Sequence, residues 1–268
     1  MLDSVQPNSK MDVISDLAFP LPATVISELL GIPVEDREQF SYWAKAITSI
    51  QGTGQANPDV ALRAQENLLE VRQYFREIFA QRRREPQDDL ISALVTAEEQ
   101  GDKLNEAELV STCTTLLLAG HETTTCLIAN GILTLLNLPV PRHELRENPS
   151  LMPSAIDEIL RYETPLQRVH KLVTKDVEIQ EAKINEGEVV LLMYGAAHRD
   201  QSYFPDPDRF DIRRNGTRNF AFGHGIHFCL GKRLAILEAE IALETLTKRV
   251  PSLDMVKDQK FEFFPNFT

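Results

Sequence analysis

Cysteine and positive charge are both scarce in this sequence. The 268 residues include three cysteines, Cys113, Cys126 and Cys229, which are too few and too scattered for a disulfide framework. Lysine and arginine number 28 against 40 aspartate and glutamate residues, so the net charge of −12 repels phosphate backbones and anionic lipid. We therefore expect a reducing, cytoplasmic compartment and no nucleic-acid partner.

Long apolar runs are also lacking. Residues 123–141 carry no charge, but they include threonines, two asparagines and two prolines, which a lipid-facing span tolerates poorly. We interpret the stretch as part of a buried core helix and expect no contact with a membrane.

Amphipathic helical patterns fill the first two thirds of the chain. Helices are predicted at residues 22–30, 35–50, 59–84, 87–99, about 105–136 and 150–162. The longest of them begins with Asn105 and Glu108, which are spaced as in a capping box. Short β-rich runs follow at residues 169–173, 177–180 and 188–194, before a last helix at about 231–250. The predicted fold class is mainly α with a small β annex.

The densest group of reactive side chains is the glycine-rich segment 222–231. Cys229 precedes the last predicted helix, where free backbone N–H groups and the helix dipole stabilise a thiolate and make its sulfur a strong metal ligand. Three glycines within nine residues let the backbone approach a large flat molecule closely. The segment alone leaves three alternatives open: a buried structural cysteine, a zinc site of His224, His227 and Cys229, and a cysteine nucleophile with a histidine base.

A second group lies midway along the long apolar helix. Glu122 stands there next to Thr123. A carboxylate in a buried helix destabilises the fold unless it pairs with a cation or has a functional role. Gly120 and the neighbouring hydroxyl groups are expected to loosen the hydrogen-bond ladder of the helix and open a groove. The alternative is that Glu122 and His121 reach solvent or a neighbouring helix.

A third group is the pair Glu158 and Arg161, which stand one helical turn apart on the predicted helix 150–162. On an exposed helix such a pair contributes only about 0.2–0.5 kcal/mol. The pair by itself therefore indicates no particular function.

Together these groups resemble the motifs of the cytochrome P450 superfamily, the haem-thiolate monooxygenases, in its soluble bacterial class. Residues 222–231 are similar to the haem-binding loop of the family, and residues 119–124 to the oxygen-activation motif of its central helix. Glu158 and Arg161 resemble its Glu-x-x-Arg pair. Arg209, in a segment that resembles the family's meander, is expected to join that pair in a buried ion triad. The resemblance covers nearly the whole chain and predicts a P450-like haem-thiolate fold.

The resemblance implies haem b, iron protoporphyrin IX, as the cofactor, with Cys229 as the axial thiolate ligand of the iron. It implies a propionate contact for His227 and for Lys171, which stands where many relatives carry an arginine and would act as a point charge. Glu122 and Thr123 are expected to deliver protons during oxygen activation. The remaining cofactor contacts that it implies are Gly120, Phe222, Gly225 and Gly231.

The implied activity is the insertion of one oxygen atom from O₂ into a small apolar organic substrate, while the other atom becomes water. Electrons are expected to come from NAD(P)H through a ferredoxin- or flavodoxin-type donor and its reductase, because the sequence contains no flavin or dinucleotide fingerprint. The alternative is a degenerate or inactive haem-binding fragment.

The resemblance also implies that parts of the family's fold are missing here. Residues 1–5 match the family's helix D, and residues 264–268 stop before its C-terminal β hairpin. We therefore expect a single partial cytochrome P450 domain over residues 1–268, without the N-terminal third.

Overall fold

Helices dominate the computed structural model, which describes residues 1–4, 10–49, 57–99, 104–214, 218–250 and 252–259. The chain divides into two compact units, unit 1 formed mainly by Met1–Ala129 and unit 2 mainly by Asn130–Met255. The single partial domain over residues 1–268 stays a prediction. Residues 5 and 264–268, on which the expected ends of the domain depend, lie outside the described residues.

Unit 1 is built from helices. They are α1 (Pro20–Leu30), α2 (Arg37–Thr48), α3 (Pro58–Arg84), α4 (Leu90–Glu99) and the larger part of α5 (Glu106–Asn137). Short turns of 3-10 or π type lie at Leu2–Ser4, Ile14–Ala18 and Val34–Asp36. The predicted capping box before α5 is confirmed, since the N–H of Asn105 donates to Glu108 Oε2 at 2.9 Å and the N–H of Glu108 donates to Asn105 Oδ1 at 3.0 Å.

An aromatic cluster joins α2 to α3 in the core of unit 1. The ring of Phe40 lies edge-to-face 5.1 Å from that of Trp43 and 4.8 Å from that of Tyr74. The polar ends of the two larger rings are satisfied, because Trp43 Nε1 donates to Glu70 Oε2 at 2.8 Å and the Tyr74 hydroxyl donates to Asp36 Oδ2 at 2.6 Å. The rings therefore bury apolar area without leaving an unpaired donor.

A buried ion pair fixes the turn after α1. Arg82 Nε lies 2.7 Å from Asp89 Oδ2, and the two side chains are 3% and 4% exposed. Arg82 Nη2 also donates to the carbonyl oxygen of Gly31 at 2.8 Å. Gly31 ends α1 with a φ of +80°, and a Cβ atom there would lie 2.1 Å from Asp89 Oδ2. A side chain at this position would strain the backbone and displace a buried carboxylate.

Replacing Gly31 with alanine is expected to lower the free energy of unfolding of unit 1 by about 2–4 kcal/mol. Chemical denaturation followed by the fluorescence of Trp43, the one tryptophan of the sequence, measures the loss. Gly187→Ala is the matched control, because Gly187 has a φ of +85° but no atom within 4 Å of the new Cβ. Followed by circular dichroism, it should cost only about 1–2 kcal/mol. Equal losses in the two variants would contradict a contribution of the contact with Asp89 to the free energy of unfolding.

Unit 2 combines helices with the predicted β annex, which is confirmed. Its helices are the end of α5, α6 (Pro139–Glu147), α7 (Met152–Tyr162), α8 (Tyr194–Ala197) and α9 (Lys232–Arg249). Its strands are β1 (Val169–Leu172), β2 (Val177–Ile179), β3 (Ala182–Ile184) and β4 (Val189–Leu192). Antiparallel pairing joins β1 to β4 and β2 to β3. The sequence analysis missed β3 and α8, which are too short to show a period. It also missed α6, which begins with two prolines in its first turn.

The charge-free stretch 123–141 ends α5 and begins α6. Its α5 part is a core helix as predicted, because Leu127, Ile128, Ile132 and Leu135 are at most 2% exposed. Among the described residues, no single helix has the length and apolar character needed to cross a membrane. By length and composition alone, α5 and α6 pass the same test as a pair that is bent by 106°.

Candidate functional site

A buried charge network surrounds the carboxylate of Glu158 on α7. Arg161 Nε donates to Glu158 Oε2 and Arg161 Nη2 to Glu158 Oε1, each at 2.8 Å, and both side chains are 2% exposed. The Arg161 guanidinium also donates to the carbonyl oxygens of His198 at 3.0 Å, Pro207 at 2.7 Å and Arg209 at 3.1 Å. This paired geometry, with the remaining donors bonded to carbonyls, is what allows a charge to stay buried.

The third ion of this network is Arg214, and the prediction for Arg209 is wrong. Arg214 Nε lies 3.1 Å from Glu158 Oε2, and its side chain is 12% exposed. The side chain of Arg209 is 71% exposed and its ion pair is with Asp211, at 3.8 Å. Arg214 reaches the network because a turn brings the chain back, with the N–H of Asp211 donating to Glu158 Oε1 at 2.8 Å and the N–H of Arg214 donating to the Asp211 carbonyl at 2.9 Å.

The cysteine loop, residues 222–231, is a closed turn that leads into α9. Its glycines Gly223 and Gly225 have φ angles of +72° and +77°, which L side chains rarely adopt. The N–H of Cys229 donates to the carbonyl oxygen of Phe222 at 3.0 Å and so joins the two sides of the loop. Cys229 is a half-buried free thiol, three residues before Lys232 begins α9.

The loop leaves room for a flat ligand. A Cβ atom at Gly225 or at Gly231 would meet no atom of the described residues within 4 Å. Two large apolar side chains of the loop are almost fully exposed, Ile226 at 97% and Leu230 at 89%. Exposed apolar groups around a half-buried thiol are typical of a binding surface. Open backbone, apolar side chains and a sulfur ligand fit the haem that the motif implies.

Lys171 and His227 are exposed side chains of unit 2. Lys171 lies on β1 opposite Val190 of β4, and His227 ends the 3-10 turn Gly225–His227. Within the described part of the chain, neither side chain forms a hydrogen bond or an ion pair. Both are therefore available to bind a carboxylate.

In unit 1, α5 stays a continuous helix through the segment that carries Glu122. The Thr123 hydroxyl donates to the carbonyl oxygen of Ala119 at 2.9 Å, one turn earlier, and both Glu122 and Thr123 are half-buried. The space beside Gly120 where a Cβ atom would stand is filled rather than open, because the side chain of Ile26 on α1 lies 3.3 Å from that position. Gly120 thus allows α1 to pack closely against α5.

His121 packs in the interior of unit 1. It is 5% exposed, and its ring lies edge-to-face 4.3 Å from the ring of Phe19. Nε2 has no hydrogen-bond partner among the described residues, and burial lowers the pKa of the imidazole to about 4. The ring is therefore neutral near pH 7. Of the two alternatives to a functional role, the structure supports packing against neighbouring elements and excludes solvent exposure for His121.

A zinc site does not emerge from the described residues. Nowhere in that part of the chain do three or more histidine, cysteine, aspartate or glutamate side chains form a group that could hold a metal ion. The zinc alternative for His224, His227 and Cys229 therefore has no geometric support.

Sequence reasoning missed two buried titratable groups of unit 2. His198 is 0% exposed, and Glu238 on α9 is 6% exposed, with no hydrogen-bond partner for Oε2 in the part of the chain that the structure describes. Burial raises the pKa of Glu238 to about 7 and lowers that of His198 to about 4. Neither residue belongs to a recognisable motif, and residues of both types are usually exposed or only partly buried.

Known proteins resemble this chain over its whole length. The Cytochrome P450 family model matches residues 59–250. Biotin biosynthesis cytochrome P450 of Bacillus subtilis is 46% identical over 269 residues, which cover 100% of this chain and 67% of that protein.

Solved structures show the same likeness. The structure of P450BioI in complex with an acyl carrier protein ligated to hexadec-9Z-enoic acid has a TM-score of 0.91 and 45% identity, covering 97% of this chain and 67% of that one. Myxobacterial cytochrome P450 CYP267B1 in complex with myristic acid has a TM-score of 0.89 and 46% identity, covering 96% of this chain and 63% of that one. The chain therefore spans 63–67% of the length of these three proteins. With sequence, motif order and fold in agreement, it belongs to the cytochrome P450 family.

Proposed function

We propose that this chain carries the haem-thiolate centre of a monooxygenase, with Cys229 as the axial ligand of haem b. The observation that carries the proposal is the cysteine loop, where a half-buried free thiol lies beside open space at Gly225 and Gly231. When bound, haem supplies the chemistry that activates O₂, so that one oxygen atom enters an apolar organic substrate and the other becomes water.

Two exposed side chains of unit 2, a lysine and a histidine, are proposed to bind the carboxylates of the cofactor. Lys171 and His227 form no other polar contact in the described residues, and Lys171 provides a point charge rather than the two-pronged contact of an arginine. The proposed further contacts are Phe222, Gly225 and Gly231 in the loop, with Gly120 of α5.

Glu122 and Thr123 are proposed to move protons during oxygen activation. Glu122 and Thr123 are consecutive half-buried residues of α5 and supply the acid and the hydroxyl that a proton relay needs. The Thr123 hydroxyl is held by its hydrogen bond to the carbonyl of Ala119. Thr123→Ala should leave haem binding intact and lower the product formed per electron about tenfold or more, with hydrogen peroxide in its place.

Thr125→Ala is the matched control for this variant. The Thr125 hydroxyl makes the same kind of bond one turn back, to the carbonyl of His121 at 2.9 Å, but it stands outside the proposed relay. Product and peroxide are both measured against NAD(P)H consumed. Equal coupling in Thr123→Ala and the parent would refute the relay.

Electrons are proposed to arrive from NAD(P)H through a ferredoxin- or flavodoxin-type donor and its reductase. Beside the cysteine loop, Lys232 Nζ lies 5.5 Å from the ring centre of Phe222 and 5.6 Å from that of Phe228, and the guanidinium of Arg218 lies 5.7 Å from that of Phe228. Together with Arg233, the next residue along the chain, these cations are proposed to form a basic patch on a chain of net charge −12. An acidic donor fits such a patch and would reduce the protein faster at low ionic strength.

The substrate is proposed to be a small apolar molecule, and fatty acyl chains are the first class to test. The solved relatives in complex with myristic acid and with a hexadec-9Z-enoic acid linked to acyl carrier protein support this choice. A cytoplasmic location is proposed as well, because the sequence has only three scattered cysteines and the structure joins none of them in a disulfide.

Haem titration followed by turnover tests the proposed function. The proposed function predicts that haem binds and that, with a surrogate electron donor and isotopically labelled O₂, one labelled atom enters the product. Haem binding without product would favour the alternative of a degenerate haem-binding module. A spectrum that haem addition leaves unchanged, apart from free haem, would contradict both and would leave a thiol or zinc hydrolase as the class to test.

A further inference from the structure

His198 lies at the junction between the charge network and the cysteine loop. Its carbonyl oxygen accepts a hydrogen bond from Arg161 Nη1 at 3.0 Å, and its ring Nε2 accepts the N–H of Phe220 at 2.7 Å. Phe220 stands two residues before Phe222, whose carbonyl oxygen accepts the N–H of Cys229 at 3.0 Å. One residue therefore contacts both α7 and the segment that enters the loop.

The effect of this contact extends into the loop through a second hydrogen bond. The carbonyl oxygen of Phe220 accepts the N–H of Gly223 at 2.8 Å, and Gly223 has a φ of +72°. The peptide units on both sides of Phe220 are thus held, one by the imidazole and one by the first glycine of the loop. Releasing the Phe220 N–H would free the start of the turn that closes on Cys229.

The imidazole is fixed in position. It lies parallel to the ring of Phe220, with an interplanar angle of 9° and ring centres 5.8 Å apart, and edge-to-face to Phe204 at 5.9 Å. Because Nε2 accepts a hydrogen bond, the proton of the neutral ring is on Nδ1, which is buried and has no partner in the described residues.

The surroundings keep the imidazole neutral. Burial and the nearby guanidinium groups of Arg161 and Arg199 lower the pKa of His198 to about 4. The acids that pair with those cations are Glu158 for Arg161, and Asp208 and Glu163 for Arg199. A protonated ring could not accept from Phe220, so the neutral form is the one that holds the loop.

We infer that His198 is a positioning residue for the cysteine loop, which it holds by accepting the N–H of Phe220 while its own carbonyl is bonded to Arg161. The inference rests on the proposed function only where it concerns haem ligation by Cys229. The hydrogen bond itself can be tested in the chain without haem.

The first experiment measures amide hydrogen exchange at Phe220 and alkylation of Cys229 in the haem-free 268-residue chain. In His198→Leu we expect the Phe220 amide to exchange about tenfold faster or more, because its acceptor is lost, and the alkylation rate of Cys229 to change with it. In His198→Gln both rates should stay near those of the parent, since the side-chain carbonyl can accept in place of Nε2. Unchanged rates in His198→Leu overturn the inference.

Leu145→Ala separates a specific effect from general loss of stability. Leu145 is 1% exposed on α6 of the same unit, so its truncation destabilises unit 2 at a different element. The two variants are compared under conditions in which their free energies of unfolding are equal. The Phe220 amide should then exchange faster than in the parent in His198→Leu, but not in Leu145→Ala. Equal exchange at Phe220 in the two variants overturns the inference.

A second measurement on the parent chain covers the case in which His198→Leu does not fold. Nitrogen NMR of the histidine rings gives the tautomer of His198 directly. We expect the proton on Nδ1 and a bare Nε2. A proton on Nε2 overturns the inference, because that nitrogen could not accept from Phe220.

The reduced carbon monoxide complex links the loop to haem ligation. With haem added, His198→Leu should show a smaller fraction of the thiolate-ligated complex than Leu145→Ala at equal stability, and His198→Gln should match the parent. If the parent chain lacks the thiolate signature, the proposed function of Cys229 is refuted, but the exchange experiment on the hydrogen bond between Phe220 and His198 remains valid. If the parent shows the thiolate signature and His198→Leu shows it to the same extent, the inference is overturned, whereas the proposed function of Cys229 is unaffected.

Discussion

Glu158→Ala is expected to lower the free energy of unfolding of unit 2 by about 3–5 kcal/mol. The Glu158 carboxylate accepts two hydrogen bonds from Arg161 at 2.8 Å, one from the N–H of Asp211 at 2.8 Å, and pairs with Arg214 at 3.1 Å. Its removal leaves two guanidinium groups, whose side chains are 2% and 12% exposed, without a counter-charge. A buried charge without a counter-charge lowers the free energy of unfolding far more than the same charge does at the surface.

Amide hydrogen exchange in α7 measures this loss. The matched control is Glu244→Ala on α9, which removes a carboxylate from the exposed pair with Lys248 and should cost at most about 0.5 kcal/mol. The same measurement checks the third ion of the network, since Arg214→Ala should destabilise α7 whereas Arg209→Ala should change stability by less than about 0.5 kcal/mol. Equal effects of Glu158→Ala and Glu244→Ala would contradict a buried network.

Cys229→Ser is expected to abolish thiolate ligation of haem and leave the fold intact. Cys229 is half-buried and its side chain makes no hydrogen bond in the described residues, so an oxygen in place of sulfur changes stability by less than about 1 kcal/mol. A neutral serine hydroxyl cannot supply the electron donation of a thiolate. The effect on ligation should therefore be complete while the effect on stability is small.

The other two cysteines are poor candidates for the iron ligand. Cys113 is 0% exposed in the core of unit 1, and burial raises the pKa of its thiol to about 12, so it stays protonated. Cys126 is half-buried and belongs to the long helix α5 rather than to a glycine-rich loop. Cys126→Ser is the matched control, because it makes the same chemical change in a cysteine of similar exposure and should keep the thiolate signature.

Helices could be predicted from the sequence because their signals are local. The predicted helix 59–84 is α3 (Pro58–Arg84), and the capping box of Asn105 and Glu108 begins α5 as predicted. Apolar periodicity, proline positions and caps depend on neighbours within one or two turns of the same element. The same holds for the cysteine loop, whose glycines and cysteine form one contiguous motif.

Contacts that depend on how distant segments turn could not be predicted in this way. Arg209 lies in the segment that resembles the meander and Arg214 five residues later, and only the turn stabilised by the N–H of Asp211 decides which of them reaches Glu158. His198 stands 22 residues before Phe220, and nothing in the local sequence indicates that its ring accepts that N–H. Such assignments need the tertiary structure, because a side chain can reach only what the backbone brings near it.

The carbon monoxide spectrum of the reduced, haem-loaded chain, recorded for the parent, Cys229→Ser and Cys126→Ser, tests the central claim most directly. The proposed ligation predicts a red-shifted Soret band in the parent and in Cys126→Ser, and its complete loss in Cys229→Ser at unchanged circular dichroism. A red-shifted band that persists in Cys229→Ser would contradict the assignment of Cys229 as the iron ligand.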